Sequence, residues 1–324
     1  MQTFLADAVG NFLSPMVLFF VLGFFAAVVR SDLEFPEVLG KSLALYLMVA
    51  IGFKGGVELS ARPLTWEIVL ALLAAVVLSF LMPVVAFGLL RLATRLKRVD
   101  AAAVAAHYGS ISVVTFVTAA AYLTDRAISY EGELVAMAAL METPAIITGL
   151  LLAGRSSGAA EFTPQIVRKV LASGSILLLL GSFLIGWTTG PSGMEIVAPF
   201  FGAPFMGILC LFLLEMGLLA GRRIGAFRTV GLGVALFGIY MPLVGAALGL
   251  GVAWMIGFSL GGATLLAVLS ASASYIVVPA AMRMAVPEAN PAYYITLALA
   301  ISFPFNIVIG IPLYFTAAQW LWSG

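Results

Sequence analysis

The chain has 324 residues, 63% hydrophobic and 10% charged, with a mean hydropathy of +1.14 and a formal net charge of +1. Soluble domains carry about 25% charged residues, so this composition excludes a soluble fold and requires a multi-span membrane protein. The near-neutral balance without runs of like charge excludes a nucleic-acid partner. One cysteine (Cys210) and one histidine (His107) exclude an intrachain disulfide and a transition-metal centre.

A spanning helix needs about 20 mostly apolar residues, and ten segments meet that need: Phe12–Val29, Glu37–Phe53, Leu64–Leu90, Asp100–Leu123, Gly132–Ala153, Val167–Trp187, Ala198–Ala220, Thr229–Ile256, Gly261–Met284 and Pro291–Trp322. Met1 to Asn11 lacks a basic region, so the first segment is expected to be a retained span, not a cleaved signal. Glycine-rich turns are expected after the second segment (Gly52 to Gly56) and after the seventh (Gly217 to Gly221). Lys54 at the end of the second is expected to snorkel outward. Pro83, Pro242 and Pro304 are candidate kinks in the third, eighth and tenth.

The fourth segment carries His107-Tyr108-Gly109-Ser110-Ile111-Ser112-Val113-Val114-Thr115. Glycine weakens a helix there. If the helix breaks, the downstream half begins with free N–H groups and a positive dipole end, which is an anion-binding geometry. The ninth segment offers the same with Ser270, Ser272 and Ser274, followed by Tyr275. Such hydroxyls also let helices pack closely. Glu142 in the fifth segment is a carboxylate at membrane depth, costing about 2.5–3.5 kcal/mol on insertion scales, and is a candidate for neutralising Na⁺ or carrying a proton. Asn306 in the tenth is its neutral counterpart. Glu215 in the seventh is expected to pair with Arg222 or Arg223. His107 is read as a packing residue.

With ten spans the loops alternate between two sides. One side holds Arg30, Lys41, Arg91, Arg95, Lys97, Arg98, Arg155, Arg168, Lys169, Arg222, Arg223, Arg228 and Arg283; the other holds Lys54, Arg62 and Arg126. The basic side is expected to be cytoplasmic, placing both termini outside the cell membrane. Residues 105–152 align with 268–313, so that Gly109 falls near Ser272 and Pro144 near Pro304. This predicts two five-span repeats, 1–156 and 165–324. Five being odd, they are inverted relative to each other, which permits alternating access around a midplane site. No nucleophile elbow, paired-aspartate motif or phosphate loop is present, so an enzyme is not expected and transport is not ATP-driven by this chain.

These residues resemble the sodium-dependent bicarbonate transporter family. The stretches from Asp100 to Phe116, Ala50 to Val57, Ala271 to Ile276, Pro279 to Arg283, Pro287 to Pro291, Phe303 to Asn306 and Gly310 to Tyr314 carry the likeness across nearly the whole chain. The resemblance implies an all-α fold of ten helices, with the fourth and ninth broken, core and gate domains, a homotrimer and elevator-like movement. It implies bicarbonate as substrate, Na⁺ as coupling ion without further cofactor, and in some members a PII-like cytoplasmic regulator.

Residues and resemblance together nominate Gly109, Ser110, Ile111, Ser112, Ser272, Ala273, Ser274 and Tyr275 for the anion, and Ser112, Thr115, Glu142 and Asn306 for Na⁺. The chain departs from established bicarbonate transporters in having Tyr275 where they have an acidic residue, and larger side chains at Val277 and Val278. Its short loop between the fifth and sixth segments also weighs against the regulator. Alternatives are a Na⁺- or H⁺-coupled transporter of another small anion, and a non-transporting membrane scaffold.

Overall fold

The computed structural model describes residues 13–154, 174–223, 225 and 230–323. Arg155, Arg168, Lys169 and Arg228, the start of the sixth expected segment and nearly all of the loop joining the expected repeats lie outside them. The described residues are all-helical: α1 (Pro15–Val28), α2 (Glu37–Ser60), α3 (Trp66–Ala93), α4 (Arg98–Gly109), α5 (Val113–Asp125), α6 (Glu133–Leu140), α7 (Glu142–Ala153), α8 (Gly174–Phe201), α9 (Phe205–Arg222), α10 (Leu232–Ile256), α11 (Leu260–Ala271), α12 (Val277–Ala285) and α13 (Pro291–Trp322). Among the described residues eight helices are long and apolar enough to cross a membrane, counting α4 with α5 and α6 with α7; α1 and α11 are shorter apolar helices.

Several boundaries differ from expectation. α2 continues to Ser60, and the glycines at 52–56 and 217–221 lie inside α2 and α9 rather than in turns. Their role is close packing of backbones. A Cβ on Gly56 would run into the Phe183 carbonyl, and one on Gly217 into that of Phe20. α8 extends to Phe201 because Gly190, at φ 59°, bends the chain and Pro191 restarts the helix. Ala198–Phe201 therefore ends α8 instead of opening the seventh segment. Pro83 and Pro242 sit inside helices that continue past them, while α13 accommodates Pro304 with wide π-type turns at Thr296–Ser302 and Asn306–Gly310.

The helices pack as two sets. α1 lies along α9 and α2 along α8, forming an outer set. Glycines join both pairs: Gly23 and Gly217 between α1 and α9, Gly52, Gly56 and Gly186 between α2 and α8. The remaining helices form an inner set around α4 and α5, whose residues are almost all buried. Leu73, Val77 and Leu81 of α3 and Trp254 and Met255 of α10 are exposed and apolar, as lipid-facing surface must be.

Two buried carboxylates tie opposite ends of the inner set. Glu131 accepts from the Ser259 N–H (2.7 Å) and hydroxyl (3.0 Å), while Ser259 caps α11 through the Gly262 N–H. Asp100 accepts from the Asn290 N–H (2.8 Å), and Asn290 caps α13. Hydrogen bonds to a charged partner contribute about 1.5–3 kcal/mol. Glu131→Ala and Asp100→Ala are each expected to destabilise the folded protein by roughly that amount, read as a lower unfolding midpoint in detergent. An unchanged midpoint in both would mean these ties carry no load.

Candidate functional site

The fourth segment stops being helical at Ser110, whose backbone is extended (φ −91°, ψ 179°), and restarts at Val113. Gly109 is required at the end of α4 because a Cβ there would strike the Pro83 ring of α3 and press on Ala145 of α7. Ser112 caps α5, its Oγ accepting from the Thr115 N–H (3.2 Å) and the Thr115 hydroxyl (2.9 Å). With both lone pairs of that oxygen engaged, its remaining capacity is to donate. The ninth segment breaks between Ala271 and Val277. Ser272 is extended (φ −87°, ψ 163°), and Ser274 Oγ accepts from the Val278 N–H at 3.5 Å.

The two breaks cross and satisfy each other. The Ser112 N–H donates to Ser272 Oγ (2.9 Å), and the Ser274 N–H donates to the His107 carbonyl (2.8 Å). Ser272 Oγ donates onward to the Leu269 carbonyl, and Asn306 Nδ2 to the Ala271 carbonyl (2.9 Å) at the end of α11. Tyr314 donates to the other end of the Asn306 amide (2.8 Å).

A narrow cleft lies beside the crossing. Its walls are Ile111, Ser112 and Val113, Glu142 from α7, and Ser274, Tyr275, Ile276 and Val277. The first turns of both α5 and α12 border it, so two positive dipole ends meet there with no lysine or arginine in the wall among the described residues; the Thr115 and Val278 N–H groups are capped by Ser112 and Ser274, Pro279 has none, and Val113 and Val277 bring theirs to the wall. Glu142 is 3% exposed and its Oε2 has no hydrogen-bond partner among the described residues. Tyr275 stacks edge-on against Phe303 (5.5 Å), which meets Phe20 of α1 (5.7 Å), linking the cleft to the outer set.

Of the nominated residues, Ile111, Ser112, Glu142, Ser274 and Tyr275 line the cleft together. Gly109, Ser110, Thr115, Ser272 and Ala273 stand behind it, shaping the breaks. Asn306 lies outside the wall with its amide engaged by Ala271 and Tyr314. Val113 and Ile276 join the wall without having been singled out. Their signal is position alone, each falling where a helix starts or is about to start.

Other expectations fare differently. His107 is fully buried, donates from Nδ1 to the Ala103 carbonyl (2.6 Å) and stacks on Tyr294 (4.6 Å), as a packing residue does. The expected pairing of Glu215 is not found among the described residues. Its carboxylate lies against Gly40 of α2, while Arg222 donates to the Leu33 carbonyl (3.1 Å). Lys54 turns inward over the Tyr130 ring instead of snorkelling.

Gly109→Ala is expected to cost about 1–3 kcal/mol through overpacking against Pro83. Ser110→Ala removes a buried hydroxyl that has no partner among the described residues and is expected to be neutral or stabilising. Thermal unfolding of the two variants in detergent separates them; equal midpoints would contradict the packing argument.

A model of the Na⁺-dependent bicarbonate transporter superfamily matches residues 15–319 of the chain. No curated protein sequence matches it.

Proposed function

The chain belongs to the Na⁺-dependent bicarbonate transporter superfamily and is a multi-pass membrane protein; from that premise we propose that it is a secondary symporter moving bicarbonate with Na⁺ across the cell membrane. The observation that carries this is the cleft. Two helix starts offer N–H donors and positive dipole ends to an anion, and an unpartnered carboxylate stands in the same wall for a cation. Ser112 and Ser274 serve the anion, since the Ser112 hydroxyl has only its proton left to give. Glu142 serves the cation. Tyr275 replaces the acidic residue of established relatives, leaving one carboxylate in the wall and favouring a single cation per turnover. The protein moves its substrate and does not transform it.

Ten spans in two inverted five-span repeats are supported by the way contacts recur. α2 on α8 is repeated by α9 on α1, and Glu131 on the cap of α11 by Asp100 beside the cap of α13. Ser79 donates to the Met141 carbonyl, as Ser302 does to Gly238 (2.7 Å). In this reading both termini are extracytoplasmic. The outer set is the gate, and the inner set is the core that carries the cleft past it like an elevator, in a homotrimer.

The test is uptake of labelled bicarbonate into proteoliposomes with and without an inward Na⁺ gradient. Uptake is expected to require Na⁺. Glu142→Gln is expected to lower the Na⁺-driven rate at least about ten-fold, equivalent to ~1.4 kcal/mol. Undiminished Na⁺-driven uptake by that variant would remove Glu142 from coupling. No uptake by folded wild type would exclude bicarbonate and turn attention to other small anions and to H⁺ gradients.

A further inference from the structure

A second cavity, of about 160 Å³, lies between the inner and outer sets. Ala121 and Thr124 of α5 and Tyr130 form its inner wall, while Lys54 of α2, Phe201 and Met206 face them. α5 thus reaches from the cleft at Val113 to this cavity at Ala120 to Thr124, roughly 10–16 Å along a helix rising 1.5 Å per residue. Among the described residues Lys54 is the one charged side chain in the cavity's lining, which holds the Thr124 and Tyr130 hydroxyls and is otherwise apolar. Lys54 is half-buried and makes no ion pair among the described residues. Its Nζ stands 6.0 Å from the centroid of the Tyr130 ring, at the outer reach of a cation–π contact. Burial, reinforced by the charge of Glu58, pushes the Tyr130 phenol well above its usual range, so no phenolate neutralises the lysine. Glu58, one turn further along α2, is exposed and outside the lining, so within the cavity the half-buried ammonium faces no carboxylate, and an anion there offsets the cost of its burial.

The location gives this charge a use. It sits at the end of α5 and α2 where the 126–132 turn lies, the end assigned to the extracytoplasmic side. It belongs to the outer set, whereas the cleft belongs to the inner one. We propose that this cavity is an anion-capture site: Lys54 draws a small monovalent oxyanion such as bicarbonate from the extracytoplasmic solution and holds it where the cleft collects it when the inner set moves. The proposal rests on the transporter reading for its orientation and direction of movement. A fixed cation beside a low-dielectric wall raises the local concentration of its counterion and the capture rate by about ten-fold or more.

Two measurements test it together. In detergent, the wild type is treated with an amine-reactive acetylating reagent in bicarbonate or in gluconate at equal ionic strength, and labelling of each lysine is followed by mass spectrometry. Bicarbonate is expected to slow labelling of Lys54 several-fold relative to the exposed Lys97. In proteoliposomes, Lys54→Gln is expected to raise the KM for external bicarbonate about ten-fold with little change in kcat, and Lys54→Arg to restore most of it. Labelling of Lys54 at the same rate in both salts overturns the proposal whatever the uptake shows. Shielded Lys54 in a wild type that takes up no bicarbonate supports the anion site and overturns the transport reading. Na⁺-driven uptake with unshielded Lys54 does the reverse.

Discussion

The constraint on which this architecture turns is that a backbone polar group inside a bilayer has no water to bond. Each unmet N–H or C=O there costs several kcal/mol, so a break in a buried helix needs partners supplied by the rest of the chain. Here the partner of each break is the other break. Ser112 and Ser274 give their N–H groups across the crossing, and Ser272 and His107 receive them. Gly109 under Pro83 lets the helices come close enough for this exchange. Asn306 takes up the carbonyl left at the end of α11. Beside the crossing, the cleft keeps the first turns of two helices and the carboxylate of Glu142 in one wall.

The sequence carried much of this in plain form. Glycine and hydroxyls at the middle of two long apolar segments, at matched places in the expected repeats, marked both interruptions, although close packing of helices calls for the same residue types. A carboxylate at membrane depth marked Glu142. Hydropathy marked the helices. What it did not carry was how far each helix runs and what stands on its hidden side. The glycines of α2 and α9 read as turns because a glycine that breaks a helix and one that admits a neighbour's backbone look alike in one dimension. Gly190 was lost in a polar stretch, so α8 ended early on paper. Asn306 was placed beside Glu142 by residue type and position in the repeat, while its amide faces a carbonyl and a tyrosine. The wall residues Val113 and Ile276 contribute through their place at a helix start, which no side-chain pattern announces.

The two sets of helices are joined by different physics. Within the outer set, backbones meet through glycine, with no room for a larger side chain at Gly23, Gly56, Gly186 or Gly217. Within the inner set, polar ties fix the geometry: Glu131 to Ser259, Asp100 to Asn290, and Tyr108 to Ser302, whose own proton goes to Gly238. Between the sets the contacts are largely apolar and aromatic, as in the run from Tyr275 through Phe303 to Phe20. Among the described residues, close backbone packing crosses between the sets at one place, where Gly132 meets Gly55 of α2.

The crossing also imposes an order on biosynthesis. The N–H of Ser112 is met by a hydroxyl 160 residues further along the chain. At about 5–20 residues per second, a ribosome needs roughly 8–32 s to reach it. For that interval the first break has no permanent partner, and the half-built protein must hold its most buried segment near water, lipid headgroups or an insertion factor. The bond that completes the site is therefore among the last to form, and any delay in making the second half of the chain falls on the first.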